Sequence, residues 1–172
     1  MSVKYFKHQN IIIVRALALI SLMLCISLQG FAQKTWDGGA GTNNWGDADN
    51  WNPNGVPAAT DNVTISAGSD LTINVNVTAV CNSLILNQGA RNITLNITSS
   101  NTLTVTNSIT MTAPTGGTRN TTLSIGSGTV TCSSLTSNNS GNDNRDNVIT
   151  ISTGTLNVTG NLSMGNSTNQ NS

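Results

Sequence analysis

Residues 95–111 read LNITSSNTLTVTNSITM, and their apolar positions come in pairs two residues apart: Leu95/Ile97, Leu103/Val105 and Ile109/Met111. Residues two apart on a strand share one face, so each pair marks a short strand with Asn, Thr or Ser on its other side. The pattern returns as Leu123/Ile125, Val130/Cys132 and Leu135, and again as Ile149/Ile151, Leu156/Val158 and Leu162/Met164. An interval of roughly 25–28 residues built from three short strands predicts a stacked coil. The gap Thr106-Asn107-Ser108 suits a sharp bend. Equivalent corners stand at Asn82-Ser83, Ser133-Ser134 and Thr159-Gly160-Asn161.

The expected fold is therefore all-β, a right-handed parallel β-helix, or β-solenoid, of about four coils over residues 63–172. Turns stack at about 4.8 Å, each strand pairing with its equivalents above and below. The first coil reads less regularly, because Leu71 to Val77 alternates for longer than one face needs. Segments 113–120 and 138–146 are expected to be longer loops on one corner of successive coils. One coil buries too little apolar surface to offset the ordering of its backbone, so the coils stand only as a stack.

Of the 172 residues, the first 32 read as a cleaved signal peptide. Lys4 and Lys7 supply the positive start, Ile11 to Leu28 the apolar stretch, and Gly30 and Ala32 the small residues before a cut ahead of Gln33. Arg15 interrupts the apolar run and disfavours a retained membrane helix. Leu24 before Cys25 is too large for a lipoprotein site. Export to the cell surface or medium follows as the expected localisation.

Beyond the signal segment there are seven acids and four bases (Lys34, Arg91, Arg119 and Arg145), a net of −3. So few bases argue against nucleic acid or anionic membrane as partners, since both call for clustered Lys and Arg. The same part contains no Glu and is rich in Thr, Asn and Ser. A disordered chain could share that composition, but it would have no reason to keep the apolar schedule.

Cys81 and Cys132 occupy equivalent places two coils apart, about 9.5 Å at the strand spacing, beyond disulfide reach. They read as buried free thiols. No histidine lies beyond residue 32 to join them in a metal or catalytic site. The Asn-x-Thr triplets at Asn62, Asn76, Asn92, Asn96, Asn120 and Asn157 are a by-product of alternating Asn/Thr-rich strands. Outward-facing Thr102, Thr104, Thr106, Thr129, Thr131, Thr155 and Thr159 form a lattice that resembles the ice-binding face of some antifreeze solenoids, although Asn157 interrupts it.

Residues 33–62 differ from the rest. They hold Trp36, Trp45 and Trp51 with Asp37, Asp47, Asp49 and Asp61, broken by Gly38, Gly39, Gly41, Pro53, Gly55 and Pro57. One reading is an N-terminal cap in which the indoles cover the open apolar end of the stack. A second has Trp36, Trp45 and Trp51 contact a glycan by stacking on sugar rings. A third gives the carboxylates to Ca2+, although their spacing matches no Asp-x-Asp-x-Asp-Gly loop.

The run from Trp36-Asp-Gly-Gly-Ala-Gly-Thr-Asn-Asn to Trp45, with Asn50-Trp51, Val56-Pro57 and Asp61 to Ile65, resembles the start of large bacterial exported solenoid proteins. These include type IX secretion cargo and autotransporter-like passengers. The Phe31-Ala32-Gln33 junction is similar to signal-peptide ends of the type IX group. The resemblance spans residues 31 to about 165. It implies further repeats or adhesion modules and a C-terminal sorting domain, and a chain truncated at Ser172.

The expected function is a non-catalytic, exported structural or adhesin-like module, with no catalytic, cofactor or metal residues. Partners would be an extracellular glycan or a host or cell surface. The alternatives are a carbohydrate-binding module and a polysaccharide lyase or hydrolase fragment, the latter needing a carboxylate pair or a calcium-plus-base arrangement. Asp143 and Asp146 share one loop with Arg145 and supply no opposed pair.

Overall fold

The computed structural model describes Arg15 and residues 31–86, 89, 91–138 and 144–165. The chain divides into two units, Met1–Gly30 and Phe31–Ser172. The expected signal segment lies outside the described residues apart from Arg15.

Each coil turns through three faces. The first face carries β1 (Gln33–Trp36), β3 (Asn62–Ile65) and β6 (Ser83–Leu86). It continues with the second halves of β8 (Thr102–Thr112) and β10 (Thr129–Asn138) and ends at β13 (Leu162–Met164). The second face stacks β4 (Leu71–Val75), β7 (Ile93–Ile97), β9 (Arg119–Ile125) and β11 (Arg145–Ile151). The third carries β5 (Ala79–Cys81), the first halves of β8 and β10, and β12 (Thr155–Val158). Among the described strands, only the short β2 (Trp51–Asn52) pairs antiparallel, with β1. The result is a β-solenoid of about five turns, in which four complete coils stand on the layers of β1 and β3.

The register runs straight up the stack. Leu103 pairs with Val130 and Val130 with Leu156. Ile73, Leu95, Leu123 and Ile149 form a second aliphatic column, and Leu84, Ile109, Leu135 and Leu162 a third. These columns meet in one dry core, closed below by the three tryptophans. Burial lapses at the last described coil, where Ile151 is 46 %, Leu162 57 % and Met164 51 % exposed.

The repeat is less even than the sequence suggests. Asn74 and Asn96 are stacked although only 22 residues apart, whereas Asn92 and Asn120 are 28 apart. Both strands and corners absorb the difference: β4 and β7 have five residues, β9 and β11 seven, and Asn82 alone separates β5 from β6. The register shifts between Cys132 and Ser134, because Thr106 and Asn107 of β8 face the single Ser133 of β10. β4 stops at Val75, and Val77 packs partly buried against the core. β9 and β11 begin at Arg119 and Arg145, so Asn120 and Asp146 belong to strands rather than to the loops expected there. Residues 139–143 of the last such loop, including Asp143, lie outside the described residues.

At the corner between the third and first faces, asparagines bond along the stack. Asn82 Nδ2 donates to Asn62 Oδ1 and Asn107 Nδ2 to Asn82 Oδ1, each at 2.7 Å. Each amide thereby satisfies the one beneath it, at a bend where the backbone ladder is interrupted.

Candidate functional site

The segment between β1 and β3 folds under the stack. β1 pairs parallel to β3, while Trp45 N donates to the Asn74 carbonyl and Asn74 N to the Asn43 carbonyl, at 2.9 and 2.7 Å. The segment therefore continues the first and second faces downward by one layer. Trp51 packs edge-on against Trp36 and Trp45, with ring centroids 5.1 and 4.7 Å apart. Its Nε1 donates to the Trp45 carbonyl at 2.8 Å, while Trp45 Nε1 is buried without a hydrogen-bond partner. Gly46 passes so close to the stack that a Cβ there would lie 2.7 Å from Val77 Cγ1.

This placement puts all three indoles in the core cluster. Trp36 is 7 % exposed and Trp45 and Trp51 0 %. Trp51 meets both other rings edge-on, and Trp36 also borders a cleft at the surface.

The four carboxylates of the segment are spread over separate turns. Asp37 Oδ1 accepts from Gly39 N at 3.0 Å and Asp49 Oδ1 from Asn54 Nδ2 at 2.7 Å. Asp61 Oδ2 accepts from Ala58 N at 2.8 Å, and Asp47 Oδ2 takes the Thr42 hydroxyl and Asn44 Nδ2. Each holds a turn in the way short polar side chains do. Among the described residues no three His, Cys, Asp or Glu side chains come together. Lys34 is buried, its Nζ donating to the carbonyls of Pro53 and Asn54 at 2.6 and 3.1 Å.

Cys81 and Cys132 are both buried free thiols in the third-face column, with Val105 between them. Burial pushes the Cys81 thiol up to about 12, with nearby Asp61 adding to the effect, and pushes the Cys132 thiol up as well. On the outer side of that face Thr102, Thr129 and Thr155 stack, as do Thr104, Thr131 and Asn157.

Two features of the corner between the first and second faces were not visible as such in the sequence. One is a polar cleft of about 340 Å³ between residues 36–43 and 66–71, lined in part by Trp36, Asp37, Thr42, Asn43, Ser66 and Ser69. The other is a column of arginines. Arg119 and Arg145 are register partners. Arg91 stands two residues before Ile93, as Arg119 stands two before Thr121, the register partner of Ile93. Each stands four residues before a stacked inward aliphatic, Leu95, Leu123 and Ile149, so counting back four from these finds all three. Beside them runs a second column, Asp70, Asn92, Asn120 and Asp146, tied by Asn92 Nδ2 to Asp70 Oδ2 at 3.0 Å and Asn120 N to Asn92 Oδ1 at 2.9 Å. The Asp70 carboxyl is held below its usual range, first by the Asn92 backbone and side-chain bonds and then by Arg119 and Arg91.

Fold and register together define the chain as a parallel β-solenoid capped by a tryptophan segment. It belongs to the family described as a domain of unknown function, DUF8693, which matches residues 35–147. That match begins in β1 and ends inside β11, so it takes in the cap and most of the coils. No curated protein and no solved structure matches the chain.

Proposed function

We propose that this chain is a non-catalytic structural or adhesive module, exported by a bacterium and held at or released from its surface. The observation that carries this reading is the aliphatic interior, which runs through the coils while the outward positions are mostly Thr, Ser and Asn. Such a body is a rigid spacer with a polar, repetitive outside. The two acids described on the coils are Asp70 and Asp146. They stand at opposite ends of one column, three coil steps or about 14 Å apart at the strand spacing. Carboxylate pairs that cleave glycosidic bonds are closer, about 5–10 Å. The signal-like segment and the resemblance of residues 31–165 to exported bacterial solenoids support export, with type IX or autotransporter-like secretion as the finer form.

The test is expression of the full chain in a Gram-negative host. The reading expects an exported product beginning at Gln33, with no turnover of polysaccharides. A product retained inside with residues 1–32 still attached, or turnover of pectin or alginate lost in Asp146→Ala, would overturn it.

The polar cleft beside Trp36 favours a second reading, a carbohydrate-binding module. Ser69→Trp would fill the cleft from an exposed corner and should abolish glycan-array binding without unfolding the chain. Binding that persists in that variant removes the cleft from consideration.

A further inference from the structure

Beyond the signal segment the chain has four basic residues, and Lys34 is buried under the cap. The remaining three are Arg91, Arg119 and Arg145, and the fold gathers all of them into one column along one corner. Arg91 is exposed and the other two are half-buried. Like charges in directly paired positions of neighbouring strands repel, so sequence alone gives no reason to stack them. Asp70 lies near Arg91 and Arg119 at the lower end, and Asp146 follows Arg145 at the upper end. Between these two acids the adjacent column holds only the neutral amides of Asn92 and Asn120. The Arg119 Nε, at the centre, is buried and has no hydrogen-bond partner. The column also begins near the rim of the cleft, because Ser69 stands two residues before Leu71 as Arg91 stands two before Ile93, the register partner of Leu71.

We propose that this corner binds an acidic polysaccharide, with guanidiniums on successive coils engaging carboxylates on successive sugar units. The proposal rests on the reading of the chain as an adhesive module and names its partner class. Guanidinium presents a planar fork that matches a carboxylate with two parallel bonds. Strands recur at about 4.8 Å, so the corner offers positive charge at a regular pitch to a polymer bearing charge on each ring. A nucleic acid fits less well. Duplex binding calls for more clustered cations and single-strand binding for open aromatic faces, whereas the indoles here are buried and Asp70 and Asp146 stand at the ends of the column.

The test uses the full chain purified after export from a Gram-negative host, with polygalacturonate, a neutral glucan and double-stranded DNA as probes at low salt. Retention of polygalacturonate and not of the glucan is expected, falling away as salt screens the column. Arg119→Gln should weaken it at least about tenfold, the scale of one charge-assisted contact. If Arg119→Gln loses the native circular dichroism spectrum, Arg119→Lys and Arg91→Gln replace it. Each should fold and still bind more weakly than the parent. Polygalacturonate that is not retained, retention unchanged in folded variants, or DNA bound as tightly would overturn the proposal. In those outcomes export of the product to the surface would still uphold the module reading, so the two fail separately.

Discussion

Asn107 is bound to Asn82 one coil below it twice over: its Nδ2 donates to Asn82 Oδ1 at 2.7 Å and its backbone N to the Asn82 carbonyl at 2.8 Å. Asn82 repeats part of this downward, giving its Nδ2 to Asn62 Oδ1 and its backbone N to the Asp61 carbonyl. The corner is thus held by side-chain amides acting as extra rungs of the ladder.

Asn82→Ala removes two side-chain bonds at a buried site and leaves both neighbours without their partner. A loss of about 1–3 kcal/mol is expected, read as a lower urea midpoint. Asn96→Ala, which removes a single longer bond at 3.2 Å to Asn74, should cost less. Equal effects would mean that the corner ladder has no special role.

The core columns predict a gradient along the axis. Leu103→Ala opens a cavity between two covered coils and should cost about 2–5 kcal/mol. The same change at Leu162, which is 57 % exposed, should cost under about 1 kcal/mol. Thermal melts of both variants check this. A Leu162→Ala variant as damaged as Leu103→Ala would contradict the placement of the last coil.

The thiols should be silent in the folded chain. At pH 8 neither Cys81 nor Cys132 should react with a thiol reagent until denaturant is added, since both are buried and protonated. The Cys81 thiol is raised from 9.0 to about 12. Above pH 9 the unfolded chain releases that proton while the folded chain keeps it, so the unfolded state gains. Stability present below pH 9 should fall as pH rises toward 12, by at most about 1.4 kcal/mol per unit. Cys81→Ala should flatten that slope, and a slope unchanged by the substitution would count against the burial.

Trp51 is the centre of the cap, touching both other indoles and bonding the Trp45 carbonyl. Trp51→Ala should cost about 3–5 kcal/mol and erase the near-ultraviolet circular dichroism of the cluster. A fully stable variant that had lost only glycan binding would make the indoles a contact surface and contradict their packing role.

Strand identity and face were legible because apolar pairs such as Leu103/Val105 obey period two and nothing competes with them. Stacking was legible from their recurrence. Corner lengths were not, since Asn82 alone serves where Thr106-Asn107 is used one coil later, and both satisfy a bend. The segment from residue 33 to 62 stood apart by its Trp and Gly content, but burial of Trp36, Trp45 and Trp51 depends on which ends of the first coil lie open. The arginine column was overlooked because Arg91, Arg119 and Arg145 stand four residues ahead of Leu95, Leu123 and Ile149, outside the apolar pairs that set the repeat.

The stacked register can be measured directly by nuclear Overhauser contacts between backbone protons of neighbouring strands. Leu103 should contact Val130, and Val130 should contact Leu156, with none between Leu103 and Leu156. Contacts displaced by one residue would turn every aliphatic side chain to the outer face. Those, or antiparallel contacts, would contradict the solenoid on which the cap, the corner ladder and the arginine column all depend.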